Sequence, residues 1–319
     1  MRQQSVVRGA VFTTLAMASV AVMAAVVKWA SYGFSSELLM VVRWGAGLLV
    51  FGAYWALSGC VSLRTAKWRT QSMVGISWTM SVFVYYVSLR TLPLMDATLL
   101  LNTSALFSPL LAVVFAGKRE RWTVWVGVLI GFVGVVAVLR PGSAVFQPMS
   151  LVALLSGLLM ALRVFLNSQL GDEPKQRTTF YSLAVGLAVC LVLFAAEGFQ
   201  VAPPDWQRML FTPRQIAEPM FVDAALGVAV LALGLLSMAQ PLLVAWSLQY
   251  ASVGEVAPFR YTSVVVAAGI DWLIWNQLPS LAVVLGLVLI AIGATVILAT
   301  RRITPQVVVT TLADTSQGN

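Results

Sequence analysis

Four basic side chains stand inside long apolar runs of this sequence: Lys28, Arg43, Arg163 and Arg260. An ionisable group at the centre of a bilayer costs about 2.5–3.5 kcal/mol on insertion scales and tends to mark a substrate or ion pathway. Arg163 lies deepest, near the middle of its run, where neither interface is easily reached; Asn167, four residues on, shares its helical face. Arg260 sits about one and a half turns into its run, beside Tyr261. Lys28 and Arg43 are candidate pathway charges closer to the ends of theirs, where a long stem can carry the charge to the headgroups. Aromatic rings accompany the charges. Trp78 and Tyr85 are seven residues apart and fall on one helical face. Polar groups follow at comparable depth: Asn102, Thr103, Ser104, Ser237 and Gln240. An arginine grips a carboxylate by paired charge-assisted hydrogen bonds, and rings stack on rings. Singly, each Asn, Ser or Thr reads as glue between helices; as a cluster they read as a cavity wall.

What is absent narrows the chemistry. There is no histidine, which removes imidazole as base, relay or metal ligand. Cys60 lies just past one apolar run and Cys190 inside another, so their depths argue against a disulfide or a metal site. No phosphate-binding glycine loop occurs, so ATP is not the driver, and no cofactor is expected. Carboxylates at membrane depth are few. Asp96 and Glu255 open helices, where N-terminal capping accounts for them. Asp271, near the outer end of a run, is the one weak candidate for carrying a proton. A membrane-embedded enzyme lacks the cluster of catalytic groups it needs.

These residues need helices to hold them. Of 319 residues 60% are apolar and 10% charged, against about a quarter charged in soluble domains. Most of the outer surface therefore meets lipid. Crossing the hydrocarbon core takes about 18–25 apolar residues, and ten such runs are expected: 9–30, 37–58, 71–89, 95–117, 122–139, 149–170, 178–198, 222–249, 254–275 and 280–300. The first lacks a small-residue cleavage site and reads as a retained helix. Residues 199–221, with four prolines, read as an irregular surface loop, and 304–319 as a disordered tail. With the N-terminus inside, twelve of the lysines and arginines in loops and ends face the cytoplasm and four face the other side. That asymmetry puts both termini in the cytoplasm and explains the net charge of +8 without nucleic acid.

The sequence repeats. A shift of 159 positions (247 − 88) lays Ser88 on Ser247, Leu89 on Leu248, Thr103 on Thr262, Ser104 on Ser263, Gly127 on Gly286 and Gly134 on Gly293. Five spans separate the copies, and five is odd, so the copies cross the membrane in opposite directions. Inverted repeats are common in secondary transporters and give inward-open and outward-open states from one fold. A channel is less compatible with that symmetry.

Leu92-Pro93-Leu94-Met95-Asp96-Ala97, Pro109 and Gly117-Lys118-Arg119-Glu120 resemble the first EamA module of the drug/metabolite transporter superfamily. The stretch Val253–Tyr261 with Trp272-Leu273-Ile274-Trp275 resembles the second. One departure is Asn276-Gln277, where the second module usually carries Gly-Glu. Length and Trp/Tyr-rich spans are most similar to the YddG-type exporters of aromatic amino acids. The resemblance implies an all-α membrane protein of ten helices around a central cavity. Residues 1–147 form the first five-helix repeat, 148–303 the inverted second, and 304–319 the cytoplasmic tail.

The resulting expectation is an inner-membrane secondary transporter, not an enzyme, that exports small zwitterionic solutes, aromatic amino acids first, by alternating access. Its partners are the solute and the bilayer. Arg163 and Arg260 meet the carboxylate, Trp78, Tyr85 and Tyr261 the ring, and Asn102, Asn167 and Gln240 complete the site. Pro109 and Pro258 weaken the cytoplasmic halves of their helices and are the expected gate hinges. The alternative is a broad exporter of metabolites or cationic drugs, held by cation–π contact.

Overall fold

The structure, a computed structural model, describes residues 2–31, 36–58, 62–117, 120–140, 147–171, 173–198, 219–251 and 256–302. Among these residues it is all-helical, with no strand. The helices are α1 (Arg2–Ala30), α2 (Ser36–Ser58), α3 (Trp68–Leu89), α4 (Leu94–Asn102), α5 (Ser104–Ala116), α6 (Trp122–Leu139), α7 (Met149–Ser168) and α8 (Lys175–Gly198). After them come α9 (Pro219–Tyr250), a 3-10 turn (Ala257–Tyr261), α10 (Thr262–Trp275) and α11 (Leu281–Arg302). Seven segments among the described residues are long and apolar enough to cross a membrane, and Leu281–Ile297 is a shorter apolar helix. Cys60, Trp206, Glu255, most of the proline-rich 199–221 stretch and the 304–319 tail lie outside the described residues.

Two expected spans are not single α-helices. The run 95–117 is divided at Thr103, whose N–H bonds the carbonyl of Leu100 at 3.2 Å while Leu106 N–H bonds Thr103 O at 2.8 Å. These i→i+3 bonds tighten the backbone at that point. The interruption lies six residues before Pro109 (109 − 103), which sits buried within α5. The run 254–275 opens as a 3-10 turn with Pro258 in its first positions, where a missing N–H costs little. Ends are set locally. Gly117 closes α5 and Asn276 closes α10, both in the left-handed region, at φ 60° and 52°. Asparagine is one of the few residues besides glycine to tolerate that region.

Packing follows small residues. α6 lies against α11 through two glycine contacts. A Cβ on Gly127 would meet Gly293 O at 2.8 Å, and one on Gly134 would meet Gly286 O at 2.8 Å. As one number rises by seven the other falls by seven, so the two helices are antiparallel. Close backbone approach of this kind is how helices associate where lipid removes the hydrophobic drive between them. α1 packs on α9, where Thr13 and Ser247 share a hydroxyl hydrogen bond of 2.5 Å and Ser247 donates to Gly9 O at 2.8 Å. α3 packs on α7, and α2 on α8 and α9.

Candidate functional site

The deep arginine and the tryptophan of α3 are brought together. The Arg163 guanidinium lies over the Trp78 ring, 3.8 Å from its centroid, and its Nη1 meets Met160 Sδ at 3.6 Å. Trp78 stands edge-to-face against Trp44 of α2, centroids 4.7 Å apart. Arg43, beside Trp44 in sequence, donates to the Tyr86 hydroxyl at 2.6 Å and lies 5.5 Å from the Trp44 centroid and 5.7 Å from that of Tyr86. Each ring of the tryptophan pair thus has a guanidinium group near it. Arg163 and Trp78 are half-buried, Trp44 and Arg43 buried.

Backbone contacts hold this arrangement. Ser81 Oγ of α3 donates to Ser156 O of α7 at 2.8 Å, fixing the helix that carries Trp78 to the one that carries Arg163. Gly186 of α8 makes room for Trp44: a Cβ there would come within 2.9 Å of Thr79 Oγ1 and 3.1 Å of the indole. Gly157 of α7 lets α4 approach, since a Cβ would fall 2.5 Å from Thr103 Oγ1 and 2.6 Å from Leu100 O.

The other expected site residues divide. Arg260 is exposed on the 3-10 turn. Asn102 Nδ2 donates to Thr98 O at 3.0 Å and to Ser263 Oγ at 3.2 Å, tying α4 to α10. Tyr85 is buried, with its hydroxyl on Thr98 Oγ1 at 2.8 Å. Its neighbour Tyr86 is the one that meets an arginine. Tyr261 is half-buried and its hydroxyl reaches Ile290 O at 3.5 Å. Gln240 is half-buried on α9, and Asn167 is exposed on the turn of α7 following Arg163.

Lys28 does not reach for the headgroups. Its Nζ pairs with Asp271 Oδ1 at 2.9 Å, with side-chain exposures of 6% and 2%, and lies 4.4 Å from the Trp275 ring centroid. Asp271 Oδ2 accepts from Met95 N at 2.8 Å. One carboxylate therefore joins α1, α4 and α10. Asp96 stands in the first turn of α4, as expected from sequence, but it makes no cap hydrogen bond. Pro93 is the α4 N-cap without a side-chain cap bond, and the first-turn amide is satisfied by Asp271 from another helix. Asp96, half-buried, lines a pocket of about 180 Å³ together with Asp271, Arg140 and Gln277. This cluster was missed from sequence, although two opposite charges at the same ends of two spans were the signal for it.

Known proteins share this fold and sequence. A solved crystal structure superposes over 95% of this chain and 99% of its own with a TM-score of 0.55 and 18% identity, a likeness of fold. An S-adenosylmethionine uptake transporter of Rickettsia bellii (strain RML369-C) is 27% identical over 244 residues, covering 76% of each chain. A pseudopaline exporter, CntI, of Pseudomonas aeruginosa (strain UCBPP-PA14) is 24% identical over 296 residues, covering 92% of this chain and 97% of that one. The profile of the EamA-like transporter family matches residues 7–140 and 147–299. The chain belongs to the EamA-like transporter family, and so is a multi-pass membrane transporter of small molecules, not an enzyme.

Proposed function

We propose that the protein is a secondary transporter that exports small zwitterionic solutes, aromatic amino acids foremost, by alternating access. The observation that carries the reading is the half-buried Arg163 guanidinium laid on Trp78. A solute carboxylate can take two of its donors while the solute ring stacks beside the Trp44–Trp78 pair. Arg260, Tyr85 and Tyr261, and the amides Asn102, Asn167 and Gln240, complete the proposed lining. The alternative is a broad exporter of metabolites or cationic drugs; its cation–π form is disfavoured because the protein's own guanidinium groups already lie at the Trp78, Trp44 and Tyr86 rings. Export is the direction of the YddG-type resemblance; one relative is named for uptake and the other for export.

The architecture proposed is ten spans in two inverted repeats, 1–147 and 148–303, in the inner membrane with both termini cytoplasmic. The glycine contacts support it. The 159-residue shift equates 127 with 286 and 134 with 293, while contacts pair 127 with 293 and 134 with 286. Equivalent positions exchange partners across a two-fold axis. The packing of α3 on α7 and of α9 on α1 follows the same exchange. In this reading Pro109 and Pro258 flex the cytoplasmic ends of their spans.

The test is counterflow in proteoliposomes with an amino acid and its amide. Wild type should favour phenylalanine over phenylalaninamide, and Arg163→Gln should flatten that ratio. An unchanged ratio in a folded variant means Arg163 does not read the carboxylate.

A further inference from the structure

The proposed site leaves positive charge unbalanced. The partners the structure gives Arg43 and Arg163 among the described residues are neutral: the Tyr86 hydroxyl, three rings and the Met160 thioether. The two ion pairs found among the described residues, Lys28–Asp271 and Arg177–Glu173, involve neither arginine. Glu37 is the acidic residue nearest to Arg43 along α2. It stands six residues away (43 − 37), about 9 Å of helix rise, and its Oε2 is buried without a hydrogen bond. Arg43 is 7% exposed, so water does little to screen its charge. A zwitterion bound through Arg163 brings no net charge and leaves this surplus in place.

We infer that Arg43, with the Tyr86 hydroxyl and the Trp44 ring, forms a second anionic subsite, and that the solute carries two carboxylates separated by a flat spacer. The inference rests on the reading of Arg163 as partner of the first carboxylate. Each arginine lies at a different ring of the edge-to-face Trp44–Trp78 pair, Arg43 at Trp44 and Arg163 at Trp78. A solute that places its spacer along those rings sets one carboxylate on each guanidinium. The Tyr86 hydroxyl accepts from Arg43 Nη1, which orients the fork for a ligand carboxylate. Amino acids whose side chain ends in a carboxylate across an aromatic or similar spacer have this form, with net charge −1 to offset the surplus.

Three probes isolate the second carboxylate: phenylalanine, 4-carboxyphenylalanine and 4-carbamoylphenylalanine, exchanged by the purified full-length protein in proteoliposomes. The last two match in size and differ in charge. Wild type should prefer the 4-carboxy over the 4-carbamoyl compound by about tenfold, the order expected of a hydrogen bond to a charged group. Arg43→Gln should bring that ratio to about 1, and Tyr86→Phe, which keeps the guanidinium and frees its orientation, should lower it part-way. Equal exchange of the two compounds by wild type overturns the second subsite. So does an unchanged preference in Arg43→Gln, or in Tyr86→Phe should the arginine variant not fold. Failure of the parent reading looks different: phenylalanine and its amide are then exchanged alike, whatever happens at Arg43.

Discussion

Replacing Lys28 with methionine removes one charge of a buried pair and keeps the volume of the stem. Asp271 is then left 2% exposed with its Met95 amide bond and no counter-ion. A carboxylate stranded in this way typically costs about 3–5 kcal/mol, because its desolvation is no longer offset. At about 2–4 °C per kcal/mol, the thermal midpoint falls by roughly 6–20 °C. Adding Asp271→Asn removes the stranded charge while an amide oxygen can still accept from Met95 N. The double variant should therefore recover at least half of the loss. Heating detergent-solubilised protein while following tryptophan fluorescence, for wild type, both single variants and the double, completes the cycle. Losses that simply add in the double variant would refute the argument, since they mean the two side chains do not share one interaction. A midpoint unmoved by Lys28→Met would refute it too.

Trp78→Ala should weaken aromatic solutes more than small aliphatic ones, by about 1–1.5 kcal/mol, read from half-saturation in counterflow; equal losses for all solutes make the ring structural. Gly134→Ala should destabilise by about 1–3 kcal/mol, because its Cβ meets Gly286 O at 2.8 Å. Gly52→Ala, with nothing within 4 Å, is the control in the same melting assay and should not lower the midpoint. The Pro109→Ala/Pro258→Ala double variant should retain substrate binding while turnover falls, and normal turnover places the gate elsewhere.

The spans were legible in the sequence because length and apolarity are properties of a run of residues, and lipid demands both. The expected run 122–139 coincides with α6, and most other limits differ by three residues or fewer. Glycine spacing was equally visible: Gly127, Gly134, Gly286 and Gly293 stood out through the 159-residue shift. What the shift could not say is that 127 meets 293, since a repeat equates positions without stating which ones touch. The break at Thr103 was hidden for a similar reason. Pro109 advertised a weak point, whereas the tightening occurs where Gly157 of α7 presses on α4.

The site shows the same division. Residue type and depth marked Arg163 and Trp78, because a charge or a large ring in an apolar run is conspicuous without any neighbours. The seat of the guanidinium over the ring, Trp44 and Tyr86 as companions, and the covered position of Tyr85 depend on how α2, α3 and α7 come together. Lys28 illustrates why. From sequence its long stem near a span end reads as a route to the headgroups; in the fold, Asp271 lies 243 residues away along the chain and 2.9 Å away in space. A charge's cost in lipid is set by its own chemistry and can be read from one residue. The partner that relieves that cost is set by helix packing, so only the tertiary structure names it.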